Sequence, residues 1–440
     1  MAQVASTRPP VRQHLTSLHG GRVSPFQARP WSQPARHLPR ALVRAAAATA
    51  AEQALSSWLG KKGADAKQLE AACRVTEAGL VAARALARGE QVYSIPDSCW
   101  ITPATVRASP IGPLLTGQQP WLQLALFLLH ERSQPASEWA AYLQSLPASP
   151  SSPVVWSDEE LSELQGTQLL GLVQGYRGFF GSKFEELRGT LFASNPSVFP
   201  AAVYTFEAFL WAVCTVRARL HAPLEGEQAA LVPFADLTQH ERGSNSQWQV
   251  KSSGLFGRSF ALEVQAGSDL AAGQAVGMDY GPGKSDSQVL LDHGALDAGT
   301  PQPGYSLTLE LPESERYFDD KVDILEINGL TQVSEENEGV VYQTMIDGCS
   351  AALRGYATTI DQDLALLRSG TLKPGSRQEK AVRVRLGEKE VLDATLRYFE
   401  DRIGRLRGME YYAERRLKRL GLLDDQGNTT WDGFFDKGIA

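Results

Sequence analysis

Strand-like sequence occurs here only in short pieces, and these fall into two clusters separated by a long helical stretch. That pattern points to an α+β fold of small sheets with helices between its two strand-rich ends. In the first cluster, Leu80–Ala83 and Gln91–Ile95 flank the turn Ala87-Arg88-Gly89-Glu90, which predicts a hairpin ended by Pro96 and Asp97. Helices are expected at Glu52–Gly60, Trp121–Arg132, Glu138–Leu146, Ser157–Leu164 and Phe206–Leu220. Trp121–Arg132 is apolar nearly all round and should be buried. Ser157 precedes three acids, an N-cap signature. In the second cluster, Leu231–Phe234 reads as extended. Ser259–Val264 and Ala275–Tyr280 read as strands joined by a turn at Ala271-Ala272-Gly273. Tyr305–Leu311 alternates like a strand. From Val340 to Leu422 the pattern is helical and highly charged, and Ala381–Lys418 suggests a long helical pair.

With 440 residues, 43% of them apolar, the chain is long enough for two or three domains and needs no disulfide or metal to fold. Lys and Arg total 43 against 50 Asp and Glu, a net charge of −7, which argues against a general nucleic-acid binder. The longest clean apolar run, Leu122–Leu129 with one Gln, is far shorter than the roughly 20 residues a membrane span needs. Four cysteines, at 73, 99, 214 and 349, lie too far apart for a metal knuckle or a CxxC pair, and a reducing compartment is expected.

Residues 1–51 contain no Asp or Glu and seven Arg, with Ser, Thr, Pro and Ala filling most of the remainder. This is the composition of an organelle transit peptide, with removal expected in the alanine-rich stretch Arg44–Ala51. A disordered basic arm that binds nucleic acid or lipid is the alternative. The expected division is a transit peptide at 1–51, an α+β unit at 52–310 with a helical insertion at about 110–215, and a helical unit at 311–430.

Three local signals could carry chemistry. Gly283-Lys284-Ser285 resembles the end of a phosphate-binding loop, but five residues, not four, separate Gly277 from Gly283, and Pro282 removes one N–H from the cradle. Asp236 and His240, four apart, would share a helical face, yet two ligands are too few for a metal. Read alone, they suggest a helix start with a hydrogen-bonded His. Thr76-Glu77-Ala78-Gly79 before a strand reads as a turn.

Taken in order, Glu77-x-Gly79-Leu80-Val81-Ala82-x-Arg84, then Leu231-Val232-Pro233-x-Ala235-Asp236-Leu237-x-x-His240, then Gly277-x-Asp279-Tyr280-Gly281 with Leu291-Asp292-x-Gly294, resemble the SET-domain protein-lysine methyltransferases. The likeness is greatest to the plant-type Rubisco large-subunit methyltransferase group, and Leu386–Leu392 and Tyr411–Leu422 resemble that group's substrate-binding helices. It covers nearly all of 74–425. It implies a split SET domain with a helical insertion, followed by an all-α substrate-binding domain that is shortened near Gly329–Glu338.

The resemblance further implies methyl transfer from S-adenosylmethionine to a lysine, without a metal, in a plastid protein such as the Rubisco large subunit or fructose-bisphosphate aldolase. Tyr280 matches the active-site tyrosine. Thr76, Glu77, Ala78, Gln239 and His240 match cofactor-binding positions, with Gln239 where the group has Asn. Arg219, Asp236, Trp248 and His293 match substrate-side positions, with His293 where a second Tyr is usual. A monomer in the chloroplast stroma is expected, in preference to the mitochondrion, with a protein substrate and neither nucleic acid nor membrane as partner. A catalytically inactive SET-fold binding module is the alternative reading, and a P-loop nucleotide hydrolase is disfavoured by the loop spacing.

Overall fold

A computed structural model of the chain describes residues 50–76, 79–221, 230–253, 259–297, 299–307 and 335–408, with a few positions between 414 and 426. Among the described residues two compact units result: 50–303 with 372–384, and 304–371 with those from 385 onward.

The first unit begins with helices α1 (Ala50–Lys61) and α2 (Ala66–Ala72) and strands β1 (Cys73–Thr76), β2 (Gly79–Ala82) and β3 (Gln91–Pro96). Helices α3 (Pro103–Ala108), α4 (Pro120–Ser133), α5 (Ala140–Ser145), α6 (Asp158–Ser162), α7 (Gln168–Leu187) and α8 (Phe206–Arg219) follow. Then come β4 (Leu220–His221), β5 (Ala230–Leu231), β6 (Gln239–His240), β7 (Ser246–Ser253), β8 (Ser259–Ala266), β9 (Gly277–Met278) and α9 (Asp286–His293).

Helix α4 carries no polar stripe because all of Leu122–Leu129 is buried, and it packs on α8, whose Ala212, Val213, Cys214 and Val216 are buried as well. Each of the Leu, Val and Phe side chains among them contributes about 1.5–3 kcal/mol by leaving water. Ser157 and Glu160 form the capping box of α6.

Small sheets are assembled by long-range pairing. β3, β8 and β7 form an antiparallel sheet in that order, with Tyr93 and Trp248 both opposite Val264. The expected hairpin between 80 and 95 does not form: β2 pairs with β1, and β3 with β8. The 86–90 turn instead bonds to distant backbone, with Leu86 N–H on Leu270 O at 2.9 Å and Gly89 N–H on Ala266 O at 2.7 Å. Tertiary partners thus replace the local one. β9 likewise does not pair with β8 but runs parallel to β6, with Gln239 opposite Gly277 and His240 opposite Met278.

Asp236 and His240 do not share a helix. Ala235–Leu237 is a single 3-10 turn entered from Phe234 at φ 79°, and His240 lies on β6. A positive φ at a bulky residue is strained, and burial of the Phe234 ring edge-on to Tyr93 at 5.6 Å holds it there.

The second unit contains α10 (Glu335–Arg354), α11 (Ile360–Arg368) and α12 (Arg377–Gly408), whose first two turns belong to the first unit. Of the helical pair expected over Ala381–Lys418, Ala381–Gly408 is one continuous helix, and residues 409–413 lie outside the described residues. Tyr305–Leu307 is not a strand. Residues 308–311, and 329–334 of the abrupt join, lie outside the described residues. Asp363 is buried between α11 and α12, with Arg385 Nη2 at 2.8 Å and Lys389 Nζ at 2.7 Å.

Candidate active site

The parallel pairing of β6 with β9 brings the 236–240 motif beside the 277–280 motif. The ring of Tyr280 lies between two imidazoles, with His240 at 5.2 Å and His293 at 4.8 Å between ring centroids. Its hydroxyl donates to the carbonyl of Thr238, and its backbone N–H donates to His240 Nδ1 at 3.3 Å. Burial pushes the Tyr280 phenol up to about 12; Arg219 opposes that rise and Asp236 adds to it. The phenol therefore keeps its proton throughout the neutral range. Tyr93, fully buried, bonds the Thr238 hydroxyl at 2.7 Å and fixes the bend before β6 that holds the Tyr280 acceptor.

The tautomers of both imidazoles follow from their partners. His240 Nδ1 accepts an N–H, so Nε2 carries the proton; that Nε2 is buried and has no hydrogen-bond partner among the described residues. His293 Nδ1 lies 3.0 Å from the carbonyl of Ala218, which can only accept, so Nδ1 carries the proton and Nε2 is a lone pair. Burial lowers the pKa of both rings.

Asp236 sits under this group with its side chain fully buried. Its Oδ2 receives Tyr142 OH at 2.8 Å and Arg219 Nη1 at 3.2 Å, and Arg219 also donates to its carbonyl at 2.9 Å. Its Oδ1 is buried without a partner among the described residues. An unmatched carboxylate oxygen at such depth costs free energy unless a donor reaches it.

Gly79 opens β2 at φ 111°, and a Cβ there would lie 2.6 Å from Gln239 Cγ and 2.8 Å from Leu237 O. Only glycine lets the two backbones approach so closely. Thr76 Oγ1 donates to Gly79 O at 2.8 Å, which joins the start of this segment to it. Glu77 and Ala78 lie outside the described residues. Gly79, at positive φ, and the Gln239 side chain thus form a close cradle, and His240, next in β6, carries an unpartnered Nε2–H; amide and N–H donors of this kind fit an adenosyl group. Trp248 stands apart from the Tyr280 cluster in the described contacts: it is 42% exposed on β7, an edge strand.

Lys284 and Ser285 do not form a phosphate cradle. Ser285 caps α9, its side chain accepting from Gln288 N, and Lys284 Nζ bonds Asp292 Oδ2 at 3.0 Å. Sequence reasoning missed Tyr93, Tyr142 and Thr238. The first two stand far away in the chain, and no local spacing connects them with 236–240.

Residues 328–392 match the family of Rubisco LSMT substrate-binding domains. The chloroplastic [fructose-bisphosphate aldolase]-lysine N-methyltransferase of Arabidopsis thaliana is 35% identical over 401 residues, covering 80% of this chain and 83% of that protein. The chloroplastic Rubisco large-subunit N-methyltransferase of Pisum sativum is 32% identical, covering 95% of this chain and 99% of that protein. The crystal structure of the SET domain of LSMT bound to lysine and AdoHcy superposes with a TM-score of 0.71 at 31% identity, covering 88% of this chain and 98% of that one. With the motifs of 231–240 and 277–294 brought together at Tyr280 and Gly79 packed on Gln239, the chain belongs to the Rubisco large-subunit methyltransferase family of SET-domain protein-lysine methyltransferases.

Proposed function

We propose that the protein methylates lysine side chains of plastid proteins, the Rubisco large subunit and fructose-bisphosphate aldolase being the candidate substrates. The observation that carries this reading is Tyr280: a protonated phenol, anchored on the Thr238 carbonyl and walled by His240 and His293. When bound, S-adenosylmethionine supplies a methyl group already activated on a positively charged sulfur. The segment 76–79, with Gln239 and His240, would hold that donor.

The chain's own residues then have three tasks. The Tyr280 oxygen donates its proton to Thr238, which leaves its lone pairs free to orient an incoming amine. The buried aromatic walls disfavour the ammonium form and exclude water, so the amine arrives as a nucleophile. The unpartnered Asp236 Oδ1, held by Arg219 and Tyr142, offers an acceptor on the substrate side. Alignment of amine and methyl group does the rest, without a metal or a covalent intermediate. The relatives' chloroplastic names and the acid-free segment 1–51 support import into a plastid, with the stroma as destination. In this reading the protein acts as a monomer on protein substrates, with neither nucleic acid nor membrane as partner.

Methyl transfer from labelled S-adenosylmethionine to stromal protein tests the reading. Tyr280→Phe should lower the rate by about 100-fold with cofactor binding retained, the size expected for loss of one oriented hydroxyl. A variant as fast as the wild type would remove Tyr280 from the mechanism.

A further inference from the structure

Lys284 belongs to none of the roles above, yet it touches the His293 wall of the site. Its aliphatic stem crosses the backbone just after Tyr280, so closely that a Cβ on Gly281 would lie 2.5 Å from Lys284 Cδ. Its Nζ stands 3.0 Å from Asp292 Oδ2 and 3.3 Å from His293 Nε2. An ammonium can only donate, so it occupies the one lone pair of the His293 ring, whose other nitrogen is bound to Ala218 O at 3.0 Å. Asp292 is tied in turn to Arg217, whose guanidinium lies 4.1 Å from the centre of the Tyr176 ring.

We propose that Lys284 is a positioning residue of the methyl-transfer site: by bridging Asp292 and His293 it holds the orientation of the ring that faces Tyr280 and keeps that ring neutral, in the tautomer that Ala218 sets. This rests on the assignment of Tyr280 to the reaction.

The groups around His293 define the consequence. Lys284 comes from the turn before α9, Asp292 from α9 itself, Arg217 from α8 through Asp292, His240 from β6, and Tyr280 from the segment after β9. Burial lowers the ring's pKa first, the Ala218 hydrogen bond opposes that, and Lys284 lowers it further while Asp292 raises it. Without the Lys284 cation, Nε2 is a free lone pair and Asp292 loses a counter-ion. Both changes favour a protonated His293, and a cation in that wall repels a lysine substrate.

The test is a pair of titrations on the full chain. One follows the histidine ring signals by nuclear magnetic resonance, with His293→Phe identifying the signal of residue 293. The other is the pH profile of kcat/KM for methyl transfer. Lys284→Met should raise the His293 pKa by about one unit or more and move the acid limb of the profile upward by the same amount. Lys284→Arg, which keeps the cation, should restore both. If Lys284→Met does not fold, as judged by calorimetric binding of S-adenosylmethionine, Lys284→Gln takes its place. An unmoved ring signal in the neutral variant overturns the proposal, as does an Arg variant that behaves like Met. A wild-type chain without methyl transfer would instead overturn the functional reading, and the ring titration would still decide the Lys284 contact.

Discussion

At Gly79 the sequence offers only a small residue before a strand, and the structure makes that residue indispensable. A methyl group there meets the Leu237 carbonyl at 2.8 Å, which is backbone and cannot swing away, and φ 111° is unfavourable to any other residue. Gly79→Ala should therefore cost about 1–3 kcal/mol of stability and weaken S-adenosylmethionine binding with it. Thermal unfolding and calorimetry read both, and an alanine variant with unchanged affinity would contradict the cradle. The roles expected of Tyr280 and His240 came from the order of several short motifs that together resemble the SET-domain group; read alone, the 236–240 signal suggested only a helix start with a hydrogen-bonded His. Tyr142 could not: its hydroxyl reaches Asp236 from 94 positions away, and nothing in Ala140–Ser145 distinguishes it from an ordinary core tyrosine. Lys284 was legible only as part of a false phosphate loop, because its real partners appear once Asp286–His293 coils into a helix and brings 292 and 293 back toward it.

Helices were easier to anticipate than strand partners, and the reason is range. Ser157 caps its helix within three residues, and the apolar run 122–129 dictates its own burial. β2, β6 and β9 are each four residues or fewer, too short to encode a partner, so their pairing is set by what packs around them. Phe234 is the extreme case: its left-handed backbone has no local signal and persists only because its ring is buried on Tyr93.

In the second unit the element that carries stability is the buried polar seam between α11 and α12. Burial alone would raise the Asp363 carboxyl, but hydrogen bonds from Arg385 and Lys389 outweigh it and hold the pKa below the usual range. Lys389 Nζ also donates to the carbonyls of Thr358 at 2.8 Å and Thr359 at 3.0 Å. Asp363→Ala would leave two buried cations without their carboxylate and should destabilise this unit by about 3–5 kcal/mol. Denaturant unfolding followed on α10–α12 measures it, and a loss below about 1 kcal/mol would mean the seam is dispensable.

On the scale of the whole chain, four histidines, at 130, 221, 240 and 293, have pKa values lowered from 6.5 chiefly by burial. An unfolded chain takes up protons on these rings near that pH, while the folded chain does not. Stability should therefore be complete above about pH 6.5 and fall as the pH drops below it, with the paired carboxylate of Asp363 contributing its own loss at lower pH. Melting temperatures across pH 5–8 check the sign, and a protein that becomes more stable on mild acidification would contradict it. The central claim is chemical, that Tyr280 orients a lysine amine for methyl transfer. Mass spectrometry of Rubisco large subunit and aldolase incubated with the protein and S-adenosylmethionine tests it most directly. The account predicts methyl groups on lysine with the wild type and about a hundredth of that rate with Tyr280→Phe; equal methylation by both, or none by the wild type while cofactor binds, would contradict it.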